Sequence, residues 1–159
     1  MDTFNFPDVP TNPWEAAVSP DGRWLYVVYA ATNNFNACRL VDDDFQEIVR
    51  ERPLVRTGQN PRAVRVSEDG ATLFVLAALD FKVQFFDAAT LREEAAVECC
   101  APPRTPAWVR GKVLFHTALP PLTSAKWIAC ASCHPDGGHD ARTWQNPEGL
   151  RRTTALHGL

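Results

Sequence analysis

Two stretches decide the fold when one is set above the other: NPWEAAVSPDGRWLYVVYA at residues 12–30 and NPRAVRVSEDGATLFVLAA at residues 60–78. The offset is 48, and nine positions are identical: Asn, Pro, Val, Ser, Asp, Gly, Leu, Val and Ala. Tyr26 over Phe74 and Val28 over Leu76 match in character. Pro-Asp-Gly and Glu-Asp-Gly are tight-turn signals, because glycine takes positive φ at no steric cost. Working outward, the first copy predicts strands over Trp14 to Ser19, Trp24 to Tyr29, Asn36 to Val41 and Gln46 to Val49. The second predicts strands over Arg62 to Ser67, Leu73 to Ala77, Val83 to Asp87 and Glu93 to Val97. The runs are β-branched or aromatic and are bounded by turn residues. The Asp-Ala-Ala-Thr run at 87–90 links the last two strands of the second copy.

A period of about 40–50 residues is that of propeller blades, each a four-stranded antiparallel sheet. Asn12-Pro13, Ser19-Pro20-Asp21-Gly22 and Leu25-Tyr26-Val27 resemble the β-propeller repeats named for a Tyr-Val-Thr-Asn (YVTN) motif. In place of the naming motif the chain has Tyr26-Val27-Val28-Tyr29 and Phe74-Val75-Leu76-Ala77. The resemblance covers residues 10–98. Two blades cannot close a ring of about 4–8, and repeats need neighbours to bury their faces. The expectation is therefore a fragment, the last two blades of a longer chain. The competing reading is a small two-sheet domain with accidental internal similarity.

The chain has 159 residues, 45% hydrophobic and 22% charged, which excludes wholesale disorder, collagen and coiled coil. No stretch approaches the roughly 20 apolar residues of a membrane span; the best apolar run is Thr72 to Leu79. The net charge of −3 carries no nucleic-acid footprint. The charge is divided, however: residues 1–103 hold 9 Lys/Arg against 16 Asp/Glu, and residues 104–159 hold 7 against 3. Asp42, Asp43 and Asp44 supply three of the acids. The sign change implies two segments with different work. The chain opens Met1-Asp-Thr-Phe-Asn-Phe-Pro, without a basic start or an apolar run, so no signal peptide is read there.

Between the segments lies a proline-rich stretch, Cys99 to Pro121, holding Pro102, Pro103, Pro106, Pro120 and Pro121. Its first part, 99–110, reads as an extended linker between the partial propeller at 1–98 and a third segment at 111–159. Five cysteines, Cys38, Cys99, Cys100, Cys130 and Cys133, do not form an even disulfide framework. Vicinal Cys99 and Cys100 are poorly placed to bridge each other.

The chemistry concentrates in Cys130-Ala-Ser-Cys133-His134, the C-x-x-C-H signature of c-type haem attachment. One helical turn brings both sulfurs to the two vinyl groups on one haem edge, where each forms a thioether. The adjacent imidazole of His134 then binds iron as the proximal ligand. Two competing chemistries use the same thiols. A thioredoxin-like dithiol needs a βαβ context that the sequence lacks. A zinc site would recruit His139 or the Cys99–Cys100 pair. Gly111-Lys112-Val113-Leu114-Phe115 predicts a short amphipathic helix ahead of the motif, and Trp127 and Ile128 are candidates to wall the haem edge.

Gly111-x-x-Leu114-Phe115, Ser124, Cys130-Ala-Ser-Cys133-His134-Pro135-Asp136-Gly137 and Gly149-Leu150-Arg151-Arg152-Thr153 resemble the haem segments of the di-haem cytochrome c peroxidase-like family. The whole is similar to proteins that fuse a YVTN propeller to such a domain. The resemblance implies Cys130 and Cys133 as attachment sites and His134 as proximal ligand. Peroxidatic members need two haems, and only one C-x-x-C-H is present.

The fold expected is mainly β: two four-stranded blades of a partial propeller, then a small, truncated α-helical cytochrome c-like segment. For the distal iron ligand, Met1 is badly placed, His139 is too near the motif, and His157 is better spaced than His116. Arg142, Arg151 and Arg152 are candidate partners for haem propionates, or else a solvated basic face. Trp144 is a candidate to pack on the porphyrin, and Asp136, His139 and Asp140 form a polar loop. The function expected is one-electron transfer through haem c, with the propeller docking a redox partner protein. Two alternatives stand beside it: a peroxidase-like di-haem oxidoreductase, and a non-redox propeller with a Cys/His zinc site. Covalent haem is attached outside the cytoplasm, so a periplasmic or other extracytoplasmic location is expected, the export signal lying upstream of Met1.

Overall fold

A computed structural model describes residues 10–41, 53–123 and 127–158, together with the backbone of Ile48 and Val49. The first repeat forms β1 (Pro13–Val18), β2 (Trp24–Tyr29) and β3 (Asn34–Leu40), an antiparallel meander. The second forms β6 (Pro61–Val66), β7 (Thr72–Ala77), β8 (Lys82–Asp87) and β9 (Glu93–Glu98), a four-stranded meander. The offset of 48 is kept in the register: Ala17 opposes Tyr26 as Arg65 opposes Phe74.

The repeated residues make repeated bonds. Ser19 Oγ donates to Asp21 Oδ1 at 2.5 Å and accepts from Trp24 N–H at 2.9 Å. Ser67, Asp69 and Thr72 repeat both distances. Gly22 and Gly70 close these turns at φ 70° and 73°. Asn12 and Asn60 are left-handed, at φ 62° and 54°, which asparagine tolerates better than most residues. That bend turns the Asn12 carbonyl to accept from Ala30 N–H, and the Asn60 carbonyl to accept from Ala78 N–H.

The two sheets share one core. Tyr26, Val28, Phe35 and Ala37 of the first meet Val64, Leu73, Val75 and Phe86 of the second. Phe35 and Phe86 are edge to face, with centroids 5.2 Å apart. The inner strands β1 and β6 are tied by Glu15, whose carboxylate accepts from Arg65 at 2.6 Å and from Val64 N–H at 3.1 Å. Trp14 and Arg62 occupy equivalent positions of the repeat, and the guanidinium stacks 3.6 Å from the indole centroid.

The fourth position of the first sheet departs from expectation. Within the described residues it is divided between β4 (Ile48–Val49), on Arg39 and Leu40, and β5 (Val55–Arg56), on Asn34 and Phe35. Gln46, the start of the expected strand, lies outside the described residues, as do Asp42–Asp44 and Met1. Pro53 follows β4 and has no N–H for the ladder.

The linker also needs correction. Helix α1 (Pro106–His116) begins inside the 99–110 stretch. Thr105 caps it, accepting from Trp108 N–H at 3.4 Å, and Pro106 sits in the first turn, where a missing N–H costs nothing. Next come a one-turn helix α2 (Cys130–Cys133) and a 3-10 turn, Pro135–Gly137. The rest of the segment is not helical as expected: β10 (Thr143–Asn146) and β11 (Gly149–Arg152) form a hairpin. Asn146-Pro147-Glu148-Gly149, with Gly149 at φ 108°, is turn chemistry that a helix cannot absorb. The segment is tied to the sheets where Ala118 N–H donates to Ala31 O at 2.8 Å and where Ala31, Ala118 and Ala129 pack together.

Candidate functional site

Helix α2 is the C-x-x-C motif. Ala129 precedes it in extended backbone, and Ser132 reaches back to accept from Ala129 N–H at 3.1 Å. His134 N–H donates to Cys130 O at 3.0 Å, closing the turn. Both thiols are free; Cys130 is exposed and Cys133 half-buried. Burial, seconded by Asp140 and Cys130, pushes the Cys133 thiol up.

The backbone reverses immediately after His134. Asp136 and Gly137 are both left-handed, at φ 51° and 80°. The reversal brings Gly138 O to 3.2 Å from His134 Nδ1. A carbonyl only accepts, so in this bond Nδ1 carries the proton, and in the neutral ring the lone pair is then on Nε2. That is the tautomer of a metal-ligating histidine held by an outer hydrogen bond.

Cys133 and His134 line a cleft of 400 Å³ with Trp127, Ile128, Trp144, Arg151 and Arg152 among its walls. Trp144 is fixed from behind, its indole N–H 2.9 Å from Asp140 Oδ2 and 3.1 Å from Thr153 Oγ1. The Arg151 guanidinium is turned to its own hairpin, donating to Leu150 O at 3.0 Å and Glu148 O at 3.3 Å. The hairpin thus carries the tryptophan and both arginines to the cleft of Cys133 and His134, an arrangement no local pattern in the sequence announces.

The remaining candidates are scattered. His157 lies against the Gly137–Gly138 turn, its Cε1 3.2 Å from where a Gly137 Cβ would stand. His139 Nδ1 accepts from Ala141 N–H at 3.1 Å. His116 is buried on α1, with Nδ1 2.8 Å from Lys112 O, and faces a different cleft. Cys38 is buried in β3, whereas Cys99 and Cys100 are exposed. Among the described residues no three His, Cys, Asp or Glu side chains gather as a metal site, so the zinc alternative has no assembled ligand set there. Ser124 lies outside the described residues. No helix among the described residues is long and apolar enough to cross a membrane. Sequence reading missed Arg62, Asn60 and Trp108, which share the His116 cleft. The one available signal was Arg62 standing where the repeat has Trp14.

No family model matches the chain, and no curated protein does. Solved structures similar to it include hydrazine synthase from Kuenenia stuttgartiensis, 23% identical with a TM-score of 0.49 over 62% of this chain and 26% of that one. A putative 6-phosphogluconolactonase from Bacteroides uniformis is 17% identical, with a TM-score of 0.48 over 54% of this chain and 26% of that one. The dihydro-heme d1 dehydrogenase NirN is 23% identical, with a TM-score of 0.43 over 54% of this chain and 17% of that one. In each case the match spans about a quarter or less of the other protein's length.

Proposed function

We propose that the chain is two blades of a YVTN-type β-propeller joined to a cytochrome c-like segment, and that it carries a covalent c-type haem for one-electron transfer. The observation behind this reading is the His134 geometry: two thiols on one helical turn, then an imidazole whose Nδ1–H is committed to Gly138 O and whose Nε2 is left to bind a metal. Cys130 and Cys133 would form the thioethers and His134 the proximal bond. Trp127, Ile128 and Trp144 would cover the porphyrin face; Arg152, and Arg151 once released from its hairpin carbonyls, would pair with its propionates. Bound haem supplies a ferric–ferrous couple. The protein's share is to hold the imidazole in one tautomer, keep the thiols in register and limit water at the ring. The location is extracytoplasmic and the partner a redox protein.

The test is maturation in a periplasm equipped for haem attachment. The 159-residue chain should gain the mass of one haem and give a reduced c-type spectrum; Cys130→Ala/Cys133→Ala should give neither. A folded chain that passes through the same machinery without the added mass refutes the reading. A six-coordinate iron unreactive to peroxide separates electron transfer from the peroxidase-like alternative.

A further inference from the structure

A second cleft lies against the 3-10 turn, between the β6 end of the second sheet and α1. One lobe, of 460 Å³, is lined by Trp108, Lys112, Phe115, His116, Asp136 and Gly137. The adjoining lobe, of 280 Å³, shares Trp108, Lys112, His116 and Asp136 and adds Asn60 and Arg62. None of these residues lines the cleft around Cys133 and His134.

Its polar groups are held but unspent. Arg62 is fixed on one side by the Trp14 ring and through Nε by Asn60 Oδ1 at 2.7 Å. Its Nη groups have no protein acceptor among the described residues. His116 is 6% exposed, and Nδ1 donates to Lys112 O at 2.8 Å, so Nε2 is left as an acceptor with no protein donor. Burial holds the His116 pKa below its ordinary range, with the charges of Arg62 and Lys112 acting the same way, so the ring is neutral near pH 7. Lys112 lies over the Trp108 ring, 5.1 Å from its centroid. No ion pair joins Asp136 to Arg62 or Lys112 among the described residues.

The charges in the cleft are then two cations and one carboxylate, which a single negative charge balances. A dianion such as phosphate would overfill it. The Asp136 carboxylate and His116 Nε2 are acceptors and call for hydroxyl donors. The Trp108 indole offers a flat wall to C–H groups. We infer that this cleft binds a small polyhydroxylated carboxylate, a sugar acid, with its carboxylate on Arg62 and Lys112, its hydroxyls on Asp136 and His116, and its carbon face on Trp108.

The experiment is an NMR titration of the 159-residue chain, following the His116 ring and the Trp108 indole, with sodium gluconate, sodium acetate and inorganic phosphate as probes. Gluconate should give saturable shifts of both reporters at millimolar concentration. Acetate, lacking hydroxyls, should bind at least about tenfold more weakly, and phosphate more weakly than gluconate. Arg62→Met should weaken gluconate by at least about tenfold, since a carboxylate partner is lost. Lys112→Met, at an exposed position where the side chain lies over the Trp108 ring, should weaken it several-fold. No saturable shift with gluconate, acetate or phosphate binding as tightly as gluconate, or Lys112→Met binding as the parent does, overturns the assignment. The readout needs no haem, so its failure is separate from failure of the haem reading.

Discussion

Phe86→Ala tests whether the repeat makes one packed body of two sheets. Phe86 is 1% and Phe35 0% exposed, and their rings meet edge to face across the inter-sheet core. Phe74 and Phe85 form a nearly identical pair, 5.3 Å apart at 74°. Strand alternation places that pair on the other face of the second sheet, where it is half-buried and meets no second sheet among the described residues. Ring-to-ring chemistry is therefore matched, and only inter-sheet burial differs. Removing Phe86 forfeits a full aromatic transfer and leaves a cavity sealed by Val28, Phe35 and Leu73, which costs about 3–5 kcal/mol. Removing Phe74 forfeits a partial transfer with no sealed cavity, roughly 1–2 kcal/mol. With a urea m-value of about 2 kcal/mol/M, the midpoint should fall by roughly 1.5–2.5 M for the first and by under about 1 M for the second. Double-mutant cycles should give about 0.5–1.5 kcal/mol for each aromatic pair. If Phe86→Ala leaves too little folded protein, Phe86→Leu supplies the same comparison at a smaller cost. Equal losses at Phe74 and Phe86 would refute a core shared between the sheets.

Two further variants probe the backbone and one probes proton linkage. A Cβ at Gly58 would overlap Asp80 Oδ2 and stand 2.7 Å from the Cβ of fully buried Ala77, so Gly58→Ala should cost about 1–3 kcal/mol in the same urea titration. Gly111, inside α1 with nothing within 4 Å of its missing Cβ, is the opposite case: Gly111→Ala should stabilise by about 0.5–1 kcal/mol. His116 is held below its ordinary pKa of about 6.5 by burial, opposed by its bond to Lys112 O and the charge of Asp136, and assisted by Arg62 and Lys112. The unfolded chain then binds the proton more readily, so stability present above about pH 6.5 is lost as pH falls toward the folded pKa. His116→Gln should flatten that slope between roughly pH 7 and pH 5, and an unchanged slope would remove His116 as its source.

The two sheets were legible because the repeat carries its own turn chemistry. Ser19 and Asp21 act through bonds two to five residues away, and Ser67 and Asp69 repeat them, so local sequence sufficed to place β2 within its true bounds. Proline signals a connector only where no cap precedes it; Thr105 and Pro106 together are a cap and first turn, so α1 starts inside the linker expected at 99–110. The β10–β11 hairpin turns on Asn-Pro-Glu-Gly at 146–149, local chemistry that the resemblance to a helical haem domain does not contain. The motif itself was plain in five residues, but the His134–Gly138 bond depends on two consecutive left-handed residues, one of them the non-glycine Asp136. The His116 cleft was illegible because its parts come from three separate places in the chain: Arg62 precedes Trp108 of α1 by 46 residues, and Asp136 of the turn follows His116 by 20.

The division of labour between sheets and motif follows from where burial stops. After Cys100 the buried residues, among those described, are His116, Thr117, Ala118 and Ala129, while Trp108, Trp127, Trp144 and Leu150 stay exposed. A segment with so few buried groups cannot be held by a core of its own. It is held by the sheets, through Cys99 N–H on Phe81 O at one end and Ala118 N–H on Ala31 O beyond α1. Ala31, Ala118 and Ala129 form a contact of methyl groups alone, which fixes a short distance between the first sheet and the residue preceding Cys130. The rigid body is therefore the pair of sheets, and the thiols and imidazole are mounted on it one residue past an alanine contact. On the proposed reading, a porphyrin bound between Trp127, Ile128 and Trp144 supplies the apolar surface this segment lacks. Ordering of the hairpin and attachment of the group are then thermodynamically linked, as for any ligand that binds the folded form alone.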